Sequence, residues 1–355
     1  MGMMRNKILI VDDMDVNRDM LADILGDEYD VITADNGNAA LEMVDSYKGE
    51  IAAILLDLCM PQMDGIAVLH ELQNRNVMTD IPVLVISTDE NVASQKECFE
   101  VGVADYIHKP FDEKLVHTRV NNVVDLYLYK EHLEETVEEQ MRLLSARNSS
   151  MIDFLGSIVE TRDLESGEHI SRVKAYTRIL AEEIKNSYPE YGLSEKDVRI
   201  ITTASALHDI GKIAIPDSIL LKPGKLTKEE FEKMKEHSSK GADIIAGMKD
   251  MWDDDYSKVS YAICRYHHEK YDGKGYPDGL VGDDIPIEAQ IVSLADVYDA
   301  LMSKRCYKDA YEKSKTYDMI MRGECGQFSP KILDCFERRI ADFEDAADSL
   351  EKMCL

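Results

Sequence analysis

Long hydrophobic runs and an excess of basic residues are both missing from this sequence. No apolar stretch approaches the ~18 residues that a membrane-spanning helix needs, so we expect no membrane partner. Lys and Arg number 41 against 69 Asp and Glu, which gives a formal net charge of −28 at pH 7. A surface field of this sign disfavours binding to nucleic acid or to an anionic membrane. It does not exclude an anionic substrate, since bound metal ions can dominate the field inside a cleft.

Cysteine pairs at metal-binding or redox spacing are missing as well. The seven cysteines are odd in number, and no two are spaced C-x-x-C. This pattern argues against a disulfide framework and predicts reduced thiols in a cytoplasmic protein. The opening residues MGMMRNKILIVDD contain one short apolar run that two acids interrupt, which favours a β-strand over a signal peptide.

The length of 355 residues predicts two or three domains. Up to about residue 120, amphipathic stretches alternate with the apolar runs KILIV, YDVITA, AAILLD, PVLVIS and ADYIHK. This alternation predicts a doubly wound α/β domain, in which helices cover both faces of a five-stranded parallel sheet. Functional groups gather at the carboxyl ends of such strands, where the sequence has Asp12, Asp13, Asp57, Ser87 and Lys109. Three carboxylates at one edge would repel one another unless a divalent cation joined them, and Mg²⁺ suits oxygen ligands.

The same segment resembles the receiver domain of two-component response regulators. The resemblance is carried by ILIVDD, LLDLCMPQMDG, VISTD and DYIHKPF, in this order. It implies that Asp57 accepts a phosphoryl group from a sensor histidine kinase. The implied Mg²⁺ ligands are Asp12, Asp13, Asp57 and the backbone carbonyl of Cys59. The implied phosphate-contacting and switch residues are Ser87, Lys109 and Tyr106.

Residues 121–156 are predicted to form a helical linker. Proline is absent, and apolar residues recur at near-heptad spacing, although polar residues dilute the stripe. The apolar positions are Val123, Leu126, Leu133, Val137, Leu144 and Met151. Glutamates between positions 131 and 139 supply a solvated acidic face. Two interpretations stay open: a coiled-coil seam that joins two copies of the chain as a homodimer, or a helix that packs back on its own domain.

Beyond residue 150, five histidines each stand in a pattern that suits a metal ligand. They are His169, His208, His237, His267 and His268. Glu165 precedes His169 by four residues, which places a carboxylate and an imidazole on one helix face. Asp209 follows His208 directly, and Asp296 lies in the apolar run IVSLADVYDAL. Imidazole and carboxylate ligands together suit zinc, iron or manganese better than calcium.

From residue 157 the periodicity is helical, with Pro/Gly loops between the helices, which predicts an all-α domain. Its motifs resemble the HD-GYP family, a branch of the HD phosphohydrolases, across residues 157–340. The resemblance is carried by ESGEH, LHDIGKIAIPD, KPGKLTKEE, HHEKYDGKGYP, ADVYDAL and KRCYK. It implies hydrolysis of cyclic di-GMP to pGpG or GMP at a centre of two or three transition-metal ions, iron or manganese.

The resemblance also implies a role for each residue that matches a family motif. The implied metal ligands are Glu165, His169, His208, Asp209, His237, His267, His268 and Asp296. Asp209 would bridge two ions, and Glu165 is the ligand that the family associates with a third. The implied substrate contacts are Lys212, Tyr276, Arg305 and Lys308. The sequence departs from the family pattern at Ser166, Gln290, Cys306 and Ser329, and none of these changes removes a metal ligand.

The chemistry of the residues agrees with this reading. A phosphodiester is anionic and resists attack, so hydrolysis needs charge neutralisation and an activated water, which two close metal ions supply. Lys212 lies one helical turn after Asp209 and can reach the same site. We therefore expect a response regulator with a receiver domain at 1–120, a helical linker at 121–156 and an HD-GYP domain at 157–355. Two rival functions stay open: a phosphodiesterase for another cyclic dinucleotide, and a signalling adaptor that binds nucleotide without turnover.

Overall fold

Five parallel strands form one sheet in the N-terminal part of the chain, in the order β2-β1-β3-β4-β5. The strands are β1 (Lys7–Val11), β2 (Asp30–Ala34), β3 (Ile51–Asp57), β4 (Val83–Ser87) and β5 (Asp105–His108). Leu9 of β1 pairs with Ile32 of β2 on one side and with Ile54 of β3 on the other. The computed structural model describes residues 5–61, 63–88, 92–163, 168–248, 252–303 and 310–353, and the chain divides into two units, Met1–Arg142 and Leu143–Leu355.

Helices cover both faces of the sheet. They are α1 (Asp15–Leu25), α2 (Gly37–Tyr47), α3 (Gly65–Asn74), α4 (Val92–Val101) and the start of α5 (Glu113–Arg162). Because successive side chains of a strand point to opposite faces, Ile8 and Leu9 are both fully buried but belong to separate core clusters. Gly65 begins α3 without a side chain because an added Cβ would lie 2.4 Å from the backbone oxygen of Asp57. This close approach holds α3 against the end of β3.

The main elements of the second unit, within the residues described, are α-helices around one aromatic core. They are α6 (Glu168–Ser187), α7 (Glu195–Ala204), α8 (Asp217–Leu220), α9 (Lys228–Gly247), α10 (Asp254–Tyr266), α11 (Ile287–Met302), α12 (Lys313–Met321) and α13 (Pro330–Met353). Tyr176 of α6 stacks on Phe343 of α13, with ring centroids 4.9 Å apart. Tyr298 of α11 meets both rings edge-on at 4.9 and 5.0 Å. These contacts fix α6, α11 and α13 relative to one another.

Helix α5 is 50 residues long, and its apolar stripe is buried near the start of the helix and exposed further along. Val116, Val120 and Val123 are buried in the core of the first unit. From Leu126 to Met151 the stripe is exposed, and these two end residues are each 62% exposed. The expected stripe therefore begins in the core of the first unit and continues as an exposed apolar surface.

The predicted fold class is confirmed: a doubly wound α/β unit with a five-stranded parallel sheet is followed by a long helix and a helical domain. Each of the five apolar runs that predicted a strand forms one. Among the helices of the described residues, none is both long enough and apolar enough to cross a membrane.

Candidate phosphoacceptor site and metal centre

Three carboxylates meet at the carboxyl edge of the sheet. Asp12 follows β1, Asp57 ends β3, and oxygens of Asp12, Asp13 and Asp57 lie within 4.8 Å of one another. Lys109, which follows β5, places Nζ 2.8 Å from Asp12 Oδ2 and 3.3 Å from Asp57 Oδ2. Burial raises the pKa of Asp57, and the charge of Asp12 adds to this effect while Lys109 opposes it. The arrangement of oxygen donors fits a hard divalent cation such as Mg²⁺.

The other predicted receiver residues lie on β4 and β5 or shortly after β3. Ser87 is buried at the end of β4, and Tyr106 is buried in β5 with its ring centroid 5.0 Å from that of Phe99. The backbone N–H of Cys59 donates a hydrogen bond to Asp57, while the Cys59 side chain is exposed.

Asn17 was missed in the sequence. Its amide donates to both Asp12 oxygens at 3.0 and 2.9 Å, from the first turn of α1. Together with the backbone N–H of Met14, which also donates to Asp12, it fixes the orientation of that carboxylate.

The first cluster of metal-ligand atoms in the helical unit contains Asp209, His237, His267 and His268. Asp209 lies between the 3₁₀ turns Ser205–Leu207 and Ile210–Ala214, His237 is in α9, and the two adjacent histidines follow α10. Asp209 Oδ1 is 3.2 Å from His237 Nε2 and 3.7 Å from His267 Nε2. These distances allow the three atoms to share one ion. We refer to these four residues as cluster A.

The second cluster contains His169 of α6, His208 and Asp296 of α11. Asp296 Oδ1 is 3.7 Å from His169 Nε2 and 3.8 Å from His208 Nε2. Asp209 Oδ2, the second oxygen of the cluster A carboxylate, lies 3.4 Å from His208 Nε2. We refer to these three residues as cluster B. One carboxylate thus presents one oxygen to each cluster.

Two buried polar atoms show that the residues fit metal ions. His208 Nε2 and Asp209 Oδ1 are shielded from solvent and have no hydrogen-bond partner among the described residues, although ligand atoms of the clusters surround them. Such atoms are costly to bury unless an ion or another partner satisfies them. Burial alone would lower the pKa of His208, but the charges of Asp209 and Asp296 outweigh it and raise that pKa to about 10. The imidazole and carboxylate donors suit a divalent transition metal.

A lysine and a tyrosine, which their motifs predict to contact the substrate, lie beside the clusters. Lys212 Nζ is 2.8 Å from Asp209 Oδ2 and also contacts Asp163 Oδ2. The Tyr276 ring lies 4.7 Å from the ring of His268. Gly211 has no side chain because an added Cβ would lie 1.9 Å from the backbone oxygen of His237, so the turn after Asp209 packs directly on α9.

Three predicted site residues, Glu165, Arg305 and Lys308, lie outside the described residues. The same holds for two departures from the family pattern, Ser166 and Cys306. Of the other departures, Gln290 is buried and donates to the backbone oxygen of Ile285. Ser329 is buried just before α13, and the Lys331 backbone N–H donates to its hydroxyl.

Sequence reasoning missed three residues around His169. Asp299 Oδ2 is 2.7 Å from His169 Nδ1, and Arg172 donates to both oxygens of Asp299. Burial opposes ionisation of Asp299, but the hydrogen bonds from His169 and Arg172 outweigh it and lower the pKa of Asp299. Glu160 Oε1 is 3.7 Å from His169 Nε2, the ring nitrogen that faces Asp296. The available signal was spacing, since Asp299 lies one helical turn after Asp296 and Arg172 one turn after His169.

Comparison with known proteins gives the same two-part organisation. A family model for the response regulator receiver domain matches residues 8–121, and one for the HD domain matches residues 131–332. A Vibrio cholerae protein named a probable cyclic di-GMP phosphodiesterase is 35% identical over 351 residues, covering 96% of this chain and 79% of that protein. The cyclic di-GMP phosphodiesterase response regulator RpfG of Xanthomonas campestris is 36% identical over 349 residues, covering 95% of this chain and 88% of RpfG.

A third relative carries a different substrate in its name. The 3′3′-cGAMP-specific phosphodiesterase 2 of Vibrio cholerae is 37% identical over 237 residues, covering 66% of this chain and 43% of that protein. The two family models define a response regulator whose output domain is an HD domain, and candidate metal-binding clusters lie in both units. The chain belongs to the HD-GYP type of response regulator, in which a receiver domain is fused to an HD domain.

Proposed function

We propose that this chain is a cytoplasmic response regulator in which phosphorylation of Asp57 controls metal-dependent hydrolysis of cyclic di-GMP. One observation carries the catalytic part: Asp209 presents Oδ1 to cluster A and Oδ2 to cluster B. A carboxylate in that position can bridge two ions. The names of two relatives that align with nearly the whole chain supply the substrate.

In the receiver, Asp57 is proposed as the nucleophile that takes a phosphoryl group from a sensor histidine kinase. Mg²⁺ held by Asp12, Asp13, Asp57 and the carbonyl of Cys59 would neutralise phosphate charge. The Lys109 ammonium, already within 3.3 Å of Asp57, adds a second positive charge on the same side. Ser87 is proposed to hydrogen-bond the phosphoryl group, and Tyr106 to report its presence to the rest of the domain.

In the output domain, clusters A and B are proposed to hold two iron or manganese ions. When bound, the ions would activate a water molecule and bind phosphoryl oxygens. Asp209 would be shared by both clusters, because one of its oxygens lies in each. Lys212 places a positive charge 2.8 Å from Asp209, where the phosphate of the substrate would lie. The oxygen of the water would add to phosphorus as one P–O ester bond breaks, and the proton released by the water would pass to the departing ribose oxygen. One such cut gives pGpG, and a second gives GMP.

Substrate positioning is assigned to Lys212, Tyr276, Arg305 and Lys308. For the first two, support comes from their contacts with Asp209 and His268 respectively. Arg305 and Lys308 rest on motif resemblance alone. Glu165 likewise stays a prediction, as the ligand of a third ion.

We assign the receiver to residues 1–120, the linker to 121–156 and the output domain to 157–355. We further propose that the exposed stripe of α5 joins two copies of the chain. Seven exposed apolar residues fall at the core positions of a single heptad register: Leu126, Leu133, Val137, Leu144, Met151, Phe154 and Ile158. Leu126 and Leu133 take one core position and Val137 and Ile158 the other, a pairing that favours a two-stranded parallel coiled coil. Phe154 shares the first position, and Leu144 and Met151 share the second.

The second candidate function is hydrolysis of 3′3′-cGAMP, which the name of one relative favours. A non-catalytic adaptor is less well supported, because an adaptor has no need of two complete ligand clusters around one carboxylate. The deciding experiment loads the anaerobically purified full chain with Fe²⁺ or Mn²⁺ and assays cyclic di-GMP and 3′3′-cGAMP in parallel. We expect faster turnover of cyclic di-GMP, together with loss of turnover in Asp209→Ala. A preference for 3′3′-cGAMP would favour the second candidate, and absence of hydrolysis of both would favour the adaptor.

A further inference from the structure

Each of four histidines in the two clusters has its Nδ1 engaged in a hydrogen bond. The Nδ1 atoms of His208, His237 and His267 lie 2.8, 2.8 and 2.9 Å from the backbone oxygens of Ser205, Met234 and Ile263. In a neutral imidazole with a proton on Nδ1, Nε2 carries the lone pair. All three rings therefore direct a metal-binding nitrogen to the centre through contacts with backbone three or four residues earlier.

His169 is positioned differently, because its Nδ1 partner is a side chain from another helix. Asp299 of α11 accepts from Nδ1 at 2.7 Å and is 1% exposed. The Nε2 atom on the opposite side of the ring lies 3.7 Å from Asp296 Oδ1. The orientation of this one histidine therefore depends on a carboxylate 130 residues away in the sequence.

Arg172 fixes Asp299 in turn. Its Nε donates to Asp299 Oδ1 at 2.6 Å, and a second nitrogen donates to Oδ2 at 3.0 Å, so the contact with this carboxylate is bidentate. The same second nitrogen donates to Ser303 Oγ at the end of α11. A buried carboxylate without a cation would be strongly destabilised, so the Arg172 guanidinium also keeps Asp299 ionised.

We propose that Asp299, held by Arg172, is the positioning residue that fixes the His169 ring and its tautomer, and so sets the metal affinity of cluster B. It acts through His169 and does not contact the ion. A carboxylate that accepts from a metal-bound histidine both orients the ring and makes it a stronger ligand. The inference rests on the metal centre of the proposed function but not on the identity of the substrate. The metal affinity of cluster A serves as an internal reference for that of cluster B.

The first test needs no metal. Long-range ¹H–¹⁵N NMR of the metal-free full chain reports which nitrogen of each histidine is protonated. In wild type and in Asp334→Asn we expect His169 to be protonated at Nδ1. Asp334 is a suitable control because it accepts a hydrogen bond from Tyr188, a residue of neither cluster. In Asp299→Asn we expect a mixture of tautomers at His169, while Nδ1 of His208, His237 and His267 stays protonated as in wild type.

The second test is a Co²⁺ titration of the same proteins followed by visible absorption. We expect the Co²⁺ affinity of cluster B to fall about 10- to 100-fold in Asp299→Asn, the usual effect of removing a residue that hydrogen-bonds to a metal ligand. The Co²⁺ affinity of cluster A should not change. Arg172→Lys keeps the positive charge but loses the bidentate contact, so the Co²⁺ affinity of its cluster B should lie between those of wild type and Asp299→Asn. This variant also covers the case in which Asp299→Asn does not fold. Unchanged tautomer and affinity, or equal loss at both clusters, would overturn the proposal. A wild-type chain that binds two Co²⁺ ions but hydrolyses no cyclic dinucleotide would instead refute only the proposed function.

Discussion

Asp57 and Asp12 are both buried, and each lies within 3.3 Å of the one ammonium group of Lys109. One lysine only partly offsets two neighbouring carboxylates, and burial raises the pKa of Asp57 despite it. At the residue scale, the site is therefore electrostatically strained in a way that a divalent cation relieves. This explains why the side chain suited to accept a phosphoryl group lies beside the side chains suited to hold Mg²⁺.

Asp57→Asn should abolish labelling of the chain by a radioactive small phosphodonor in the presence of Mg²⁺, because the amide is not a nucleophile. Asp64→Asn is the matched control. Asp64 caps α3 by accepting from the backbone of Ala67, and asparagine caps a helix equally well. Labelling should stay at the wild-type level in this control. Labelling of Asp57→Asn at that level would disprove the assignment.

Lys212→Met should reduce the turnover number for cyclic di-GMP by about 100- to 1000-fold, the usual effect of removing one group that stabilises transition-state charge. Metal content should be retained, since Lys212 is not a ligand. Lys222→Met provides the comparison, because Lys222 pairs with Glu230 outside both clusters. Steady-state kinetics with metal analysis of each variant decides the point. Equal turnover in the two variants would remove Lys212 from the mechanism.

The residues that could be predicted from the sequence are those whose pattern is local. His208 and Asp209 are adjacent, as are His267 and His268, and each pair lies in a recognisable motif. Asp299 and Arg172 each lie one helical turn from a predicted ligand, but their shared role appears only when α6 and α11 pack together across 130 residues of sequence. The Asp163–Lys212 contact, across 49 residues, was missed for the same reason.

At the scale of elements, the sequence left open whether the apolar stripe of α5 packs on its own domain or forms a coiled coil, and the structure answers only the first part of this question. Periodicity predicted an apolar stripe but could not say where it would be covered, because the same spacing serves a core-facing helix and a coiled coil. The described residues show the stripe buried at Val123 and exposed from Leu126 to Met151. The coiled-coil interpretation now rests on this exposed part alone.

Leu144→Asp should weaken self-association of the chain by more than about tenfold, because the charge would lose water in the seam without gaining a partner. Leu144 is 61% exposed, so the substitution should leave the fold of each copy intact. Glu138→Gln changes an exposed residue of the acidic face and serves as control. Sedimentation equilibrium of wild type and both variants measures the effect. A monomeric wild type, or a dimer that Leu144→Asp leaves unchanged, would refute the seam.

At the scale of the whole molecule, two sites of different chemistry are carried by separate units. The receiver cluster is built from oxygen donors at strand ends, and the output clusters from imidazole and carboxylate groups on helices and on the turns between them. The net charge of −28 does not exclude an anionic substrate at the output site, where Lys212 and any bound ions would set the local field. The sequence could predict both sites because each belongs to a different unit with its own motifs. It could not predict whether phosphorylation raises or lowers output, because that depends on the difference between two states of the chain.

The most direct measurement is the rate of cyclic di-GMP hydrolysis by the metal-loaded full chain, with and without a small phosphodonor, in wild type and in Asp57→Asn. We expect wild type to hydrolyse cyclic di-GMP at a rate that the donor changes, and the donor to have no effect on Asp57→Asn. Absence of hydrolysis in wild type, or a wild-type rate that is the same with and without the donor while Asp57 is labelled, would contradict the account.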